Sequence, residues 1–246
     1  MIKLAGLSDE EQNLRLMSAT LHYHRWIYEQ IAPHLIGQKI LEVGAGVGNL
    51  TGFLLQACGD IVGTDVNETN LQELVARYAG VRTYLDDIAS THLDEQFDTV
   101  VCVNVLEHIR DDKAALLNLR RLLRGKGHLI LLVPALQALY GTVDIADGHH
   151  RRYARQALQH KLQRAGFRVV EMKYMNLLGA LGWWWDGRFC KKRVHRKQAL
   201  WLFDHLVPLW KQLERWIRPP FGLSLVAVAT PGDEDLSSPS VGSTDD

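Results

Sequence analysis

Ile40-Leu41-Glu42-Val43 runs without a break into Gly44-Ala45-Gly46-Val47-Gly48-Asn49-Leu50-Thr51, and this stretch decides the fold. The short apolar run reads as a buried strand, the glycines as a tight turn, and the residues after them as a helix start. Glycine is needed where the backbone turns sharply and lets a ligand approach, and a helix beginning there offers unpaired N–H groups. The turn therefore points to a nucleotide-like ligand. Its spacing narrows the choice: the dinucleotide pattern G-x-G-x-x-G needs glycine at position 49, where Asn49 stands, and the third glycine is Gly48. NAD is disfavoured on that count.

Outward from this turn, apolar runs alternate with amphipathic ones. Lys39–Val43, Ile61–Thr64, Val81–Leu85, Thr99–Val103 and His128–Val133 read as strands, separated by helical stretches near 49–58, 67–78 and 111–123. Strand–helix alternation at this spacing predicts an α/β fold, a doubly wound and mostly parallel sheet covered on both faces. A helix over 154–165, ended by Gly166, leads to a sixth strand, Phe167–Met172, and Leu223–Ala229 is the seventh. The chain between them is too long for a simple connection and reads as a helical insertion, about residues 175–222, before the last strand. Upstream, Ser8 and Glu11 form a capping-box signature that opens one helical stretch through Leu14, Met17, Leu21 and Trp26 towards Ile31, ended by Pro33. The expectation is a single domain over 1–230 and a disordered acidic tail over 231–246.

Polar residues stand where these strands end. Asp65 closes the second strand 21 residues beyond Gly44, where a carboxylate can accept hydrogen bonds from both ribose hydroxyls, a role compatible with capping the next helix. Asp86-Asp87-Ile88 follows the third strand and Asn104-Val105-Leu106-Glu107-His108-Ile109 the fourth. Taken in order over residues 39–133, these elements resemble the class I S-adenosylmethionine-dependent methyltransferases, with their E/D-x-G-x-G-x-G loop and N-x-L-E-H segment. The resemblance implies the Rossmann-like methyltransferase fold and S-adenosyl-L-methionine as cofactor. It also implies roles. Gly44, Ala45, Gly46 and Gly48 wrap the methionine moiety, Glu42 helps hold its amino group, and Asp65 with Val66 meets the ribose. Asp87 takes the adenine amino group while Ile88 supplies a backbone N–H and an apolar contact. Asn104 lines the methionine side, with His108 towards the acceptor. For Glu107 and His108 alone, capping or core contacts are the simpler reading. Acids around the site suit a cationic sulfonium.

Open α/β sheets take substrates at the carboxyl ends of their strands. After the fifth strand comes Tyr140-Gly141-Thr142-Val143-Asp144-Ile145-Ala146-Asp147-Gly148-His149-His150-Arg151-Arg152-Tyr153, dense in titratable groups and punctuated by glycines. His149 is the candidate general base, since only histidine has an unperturbed pKa near neutrality. Tyr140 and Asp144 are candidate acceptor contacts, and Arg151 and Arg152 could hold a carboxylate or phosphate in fork geometry. Equally, Asp144 or Asp147 could simply pair with Arg151 or Arg152. This segment resembles the L-Y-G-x-x-D-x-x-x-G-H-x-R-R-Y pattern of a bacterial methyltransferase subgroup associated with glycosyltransferases of surface-polysaccharide assembly. That resemblance implies a glycan or lipid-linked acceptor.

Composition excludes little: 47% hydrophobic and 23% charged residues describe an ordinary globular chain. Cys58, Cys102 and Cys190 are far apart and suggest neither a disulfide framework nor a zinc site, which fits a cytoplasmic location. No acidic ligand cluster for metal-assisted methylation stands out, and no export signal or membrane-spanning run is expected. The net charge is zero, yet residues 149–197 hold 13 Lys and Arg against two acids. That run is either a solvated basic face or a surface for an anionic partner. Leu177–Trp185, with three tryptophans, reads as a packed helix over the sheet, or as contact with the inner face of a membrane. An RNA methyltransferase is the nearest rival, disfavoured because RNA adenine dimethylases place Asn or Asp, Pro and an aromatic where Asn104-Val105-Leu106 stands, and cytosine-C5 enzymes need a Pro-Cys where Pro134 is followed by Ala135. A non-catalytic, cofactor-binding partner of a glycosyltransferase is the rival from another class.

Overall fold

The computed structural model describes residues 9–185, 197–217 and 219–232; Ser8, the basic run from Arg188 to Arg196 and the tail beyond 232 lie outside the described residues. Seven strands form one sheet: β1 (Lys39–Val43), β2 (Asp60–Asp65), β3 (Arg82–Leu85), β4 (Phe97–Val103), β5 (Leu123–Pro134), β6 (Phe167–Met175) and β7 (Ser224–Pro231). Their order is β3-β2-β1-β4-β5-β7-β6, parallel except that β7 runs antiparallel to β5 and β6. β7 ends at Pro231, which pairs with Phe167, so the sheet includes the residue at which the tail was expected to begin.

Alternation along the strands builds a core on each face. Leu129, Leu131 and Val133 of β5 join one cluster with Ala115, Leu116 and Leu119 of α5 (Asp112–Arg121) and Leu158 and Leu162 of α7 (Arg155–Arg164). Ile130 and Leu132 face the other way, towards Trp26 and Ile27 of α2 (Leu21–Ile31), Leu54 of α3 (Thr51–Ala57) and Leu74 of α4 (Glu68–Arg77). The sequence expected one helix up to Ile31, but the chain breaks at Ser18–Thr20 between α1 (Asp9–Met17) and α2. Asp204 explains the break. From α9 (Lys197–Ile217) its carboxylate accepts hydrogen bonds from the N–H groups of Tyr23 at 2.9 Å and His22 at 3.3 Å, capping the start of α2. Glu214, ten residues further along the same side of α9, does the same for α8 (Leu177–Trp185), accepting from Asn176 N at 2.9 Å and Leu177 N at 2.6 Å. The insertion is thus clamped onto the domain by two buried acids.

The strand order reverses between β1 and β4, which are parallel neighbours: the chain winds outward from β1 to β3 and then returns to begin β4 on the other side of β1. At such a switch point the loops leaving neighbouring strands diverge and open a crevice beyond the carboxyl ends.

Candidate active site

The crevice is a cavity of about 1110 Å³, above the roughly 300 to 1,000 Å³ common for one small-molecule site. It has room for two ligands side by side.

One end is built by the glycine turn after β1. Gly44, Gly46 and Gly48 all take positive φ (67°, 54° and 84°), a conformation a Cβ disfavours. At Gly44 a Cβ would also collide with the Val105 side chain. Gly46 N donates to Asp65 Oδ2 at 2.8 Å, while Asp65 Oδ1 accepts from Asn67 N at 2.8 Å and Asn70 Nδ2 at 3.2 Å. Asp65 therefore fixes both loops that frame this end, and a carboxylate retains lone pairs for further donors. Glu42 is buried and accepts from Thr51 Oγ1 at 2.6 Å; burial pushes its pKa up to about 8. Glu42, Gly44, Ala45, Gly46, Asp65, Val66, Asp87, Ile88 and Asn104 all line the cavity, whereas Gly48 turns away against Tyr78 and serves the turn alone. Asn104 sits at φ 53°, a region asparagine tolerates, and so bends the chain back at the end of β4. Asp87, expected to meet the adenine amino group, is exposed and caps its own turn by accepting from Ala89 N at 2.9 Å. Its neighbour Asp86 also lines the cavity and holds a buried, unpartnered Oδ2, which makes it the better-placed acceptor.

The other end is built where the loops after β4 and β5 are stitched together. His150 N donates to the Glu107 carbonyl at 2.8 Å, and Tyr153 Oη reaches the Leu106 carbonyl at 3.2 Å and Asp112 at 3.0 Å. This brings His149 over Glu107, with Nε2 to Oε1 at 4.0 Å, and sets its ring edge-on to His108 with centroids 4.7 Å apart. Asp144, in α6 (Thr142–Ala146), holds His149 Nδ1 at 2.9 Å and Arg152 Nε at 2.7 Å and accepts from Gly141 N at 2.9 Å. Burial lowers the proton affinity of His149, but the Asp144 hydrogen bond and the charges of Glu107 and Asp144 outweigh it, so its pKa is raised. Burial pushes His108 down to about 4 and Glu107 up to about 7.

Three expectations for this end are corrected. Arg151 does not line the cavity; it binds Asp112 at 2.9 Å and the Arg110 carbonyl at 2.7 Å. Arg152 lines it, but its guanidinium is buried against Asp144, the Ala135 carbonyl and the face of Trp183, 4.7 Å from the ring centroid, so its fork is already engaged. Tyr140 and Asp144 stand behind the wall, Tyr140 donating to the His149 carbonyl at 2.7 Å, and they position the histidine rather than face a ligand. The paired-ion alternative holds for Asp144 and Arg152.

Residues 41–129 match the family described as a methyltransferase domain. Within those residues the chain carries a methyltransferase domain, for which S-adenosyl-L-methionine is the cofactor. Over 175 residues it is 32% identical to a tRNA U34 carboxymethyltransferase of Azotobacter vinelandii, covering 62% of this chain and 52% of that one. Over 109 residues it is 28% identical to a ubiquinone biosynthesis O-methyltransferase of Proteus mirabilis, covering 41% and 44%. The chain thus spans about half the length of the curated relatives it matches. Among solved structures, the Haemonchus contortus phosphoethanolamine N-methyltransferase 2 in complex with S-adenosyl-L-methionine shares the fold, with TM-score 0.60 and 17% identity over 93% of this chain and 61% of that one.

The cavity also uses residues that the sequence did not place at the site. Asn13 of α1 reaches Asp147 at 2.5 Å across the cavity mouth, while Leu178, Gly182 and Trp183 of α8 and Leu200 and Phe203 of α9 form an apolar wall. For α9 the sequence signal was the length of the insertion, whereas Leu177–Trp185 had stood out as a tryptophan-rich helix read as packing over the sheet or touching a membrane. Glu107 was visible as the acid of a motif; its burial beneath His149 was not.

Proposed function

We propose that this chain transfers the methyl group of S-adenosylmethionine to a hydroxyl oxygen of a small-molecule, glycan or lipid-linked acceptor, with a glycan carried on a lipid the reading best supported. The observation that carries the reading is the two-ended cavity: glycines and acids at one end, and at the other the polar group Glu107, His108 and His149 under the apolar wall of α8 and α9. Bound S-adenosylmethionine supplies an electrophilic methyl carbon on a sulfonium. The glycine turn and Glu42 would hold its methionine portion, Asp65 its ribose, and Asp86 its adenine amino group. Alignment of oxygen, methyl and sulfur is the main task, contributing on the order of 7 to 11 kcal/mol. With Nδ1 held by Asp144, His149 would present Nε2 to the acceptor hydroxyl and accept its proton, worth roughly 10²- to 10⁴-fold in rate. The likeness of the Tyr140–Tyr153 segment to enzymes associated with polysaccharide assembly supports a glycan, and the similarity to a ubiquinone biosynthesis O-methyltransferase supports transfer to oxygen.

Contact with a membrane surface is part of this proposal. No helix among the described residues is long and apolar enough to cross a membrane. Yet α9 presents Leu202, Leu209, Leu213 and Trp216, which recur at helical spacing on one exposed side, with Trp216 89% exposed. Tryptophan and a basic approach to the helix suit an anionic headgroup layer at the inner face.

Kinship to the tRNA enzyme favours a second reading, an RNA acceptor. Incubating the protein and tritiated-methyl S-adenosylmethionine with separated lipid and tRNA fractions tests both. Label in the organic-extractable fraction, lost in Asp65→Ala as cofactor affinity falls by about 1.5 to 3 kcal/mol per charged hydrogen bond, is the expected result. Label in tRNA would transfer the proposal to RNA, and no label in either would leave a cofactor-binding partner protein.

A further inference from the structure

Glu107 is fully buried, faces the cavity and, among the described residues, has no hydrogen-bond partner at either carboxylate oxygen. Leaving both oxygens of a buried acid unsatisfied is costly, on the order of 1 to 3 kcal/mol for each group, more when charged. Such groups in a folded protein mark a ligand position. His108 and His149 each offer a ring nitrogen beside it, and the three ligand atoms lie within 4.8 Å of one another. Two imidazoles and one carboxylate converging on a cavity form the donor set that holds divalent transition ions while leaving coordination positions open.

We propose that Glu107, His108 and His149 form a binding site for one divalent transition-metal ion on the acceptor side of the cavity. A cation about 2.1 Å from each donor draws donors to at most about 4.2 Å apart, so the widest separation closes by no more than about 0.6 Å through side-chain rotation. The surroundings are built for it. Asp144 binds His149 Nδ1 at 2.9 Å, which orients the ring and leaves Nε2 towards Glu107. A carboxylate behind a ligating histidine is the usual supporting arrangement, fixing tautomer and direction. Arg152, bound to the far side of Asp144, keeps that carboxylate in place. His108 and Glu107 leave β4 in one turn after Asn104, and the His150 N bond to the Glu107 carbonyl fixes the two loops together. The sequence hid the site, because 41 residues separate His108 from His149 and no ligand spacing is read across two strand ends.

The site deepens the reading of this cavity as a methyl-transfer centre and rests on it for its purpose. An acceptor hydroxyl taking an open position on the ion gives its proton to solvent water. Its oxygen then bonds to the methyl carbon as the carbon–sulfur bond breaks, the electron pair staying on sulfur, which becomes a neutral thioether. A metal-bound oxygen is far more acidic than a free one, so with the ion present His149 acts as ligand in place of base.

Binding is tested with the full-length protein, stripped by chelator and titrated with Co²⁺. We expect one Co²⁺ per chain, visible absorption bands of a nitrogen- and oxygen-ligated ion, and displacement by Zn²⁺. Glu107→Gln and His149→Ala should each weaken binding at least about tenfold, and Asp144→Asn by about 10- to 100-fold through ring orientation. His160→Ala, on the exposed side of α7, should change nothing. Circular dichroism and calorimetric affinity for S-adenosylmethionine report folding independently in every variant. Absence of a stoichiometric Co²⁺ site, or a site that survives Glu107→Gln combined with His149→Ala, overturns the proposal. A protein that binds Co²⁺ but not S-adenosylmethionine would sink the methyl-transfer reading and leave the metal site standing.

Discussion

Glu42 shows how one buried acid couples ligand binding to pH. Its side chain accepts a hydrogen bond from Thr51, and burial together with the nearby Asp65 charge raises its pKa to about 8, against about 4.3 for a free glutamate. Between those values the folded protein keeps a proton that the unfolded chain has lost. The unliganded fold therefore loses stability as pH rises through this window, by up to about 1.4 kcal/mol per unit. A cationic ligand at this end reverses the preference by favouring the carboxylate. Cofactor binding then releases a proton, and affinity is expected to rise with pH, by up to about tenfold per unit, and level off above about 8. Calorimetric titration with S-adenosylmethionine over about pH 6 to 9 measures this. A flat profile in the native protein, or the same slope in Glu42→Gln, would place the binding-linked proton on another group. The acid before the glycine turn was plain in the sequence. Its protonation state was not, because it follows from the strands and the Thr51 hydroxyl that close over it.

At the scale of elements, what the sequence could and could not reveal divides along local and non-local lines. β1, the glycine turn and the helices after β2 and β4 follow from apolar runs and caps within a few residues: Asn67 accepts from Thr69 N, and Asp111 from Ala114 N. The break between α1 and α2 does not, since its cap is Asp204, 182 residues away from His22 in sequence. The same division governs α6. Arg151-Arg152 reads locally as an anion clamp, but folding brings Asp144 to Arg152 Nε and His149 Nδ1 together, so the pair became structural. Removing one member of a buried ion pair strands the other, at a cost of about 3 to 5 kcal/mol. Arg152→Gln is accordingly expected to lower the thermal unfolding midpoint by several degrees and to loosen His149, instead of raising the acceptor's KM alone. Differential scanning calorimetry decides this. An unchanged midpoint with a raised KM would restore Arg152 as a substrate clamp.

Across the whole molecule, the insertion closes the acceptor end of the cavity with one side of α8 and α9 and turns another side of α9 outward. The inward side is fixed by Asp204, Val207 and Glu214, all buried. Leu202, Leu209, Leu213 and Trp216 then necessarily lie on the opposite side, about 180° round a helix with 3.6 residues per turn. An exposed apolar stripe of this length costs solubility unless something covers it, and an acceptor carried on a lipid would reach the cavity from the surface it is anchored in. One geometry serves both needs: α9 lying in the headgroup layer with the α8–α9 wall beside the cavity's acceptor end. The protein should therefore co-sediment with vesicles containing anionic phospholipid, more weakly as salt is raised, because basic side chains contribute beside the apolar stripe. Replacing Leu213 and Trp216 by serine, neither of which lines the cavity, should cut vesicle binding at least about tenfold, since burying two large apolar side chains is worth roughly 3 to 6 kcal/mol. Affinity for S-adenosylmethionine in solution should stay as it was. Vesicle binding that is absent in the native protein, or undiminished in the double variant, would detach α9 from any membrane role and leave the stripe to a protein partner.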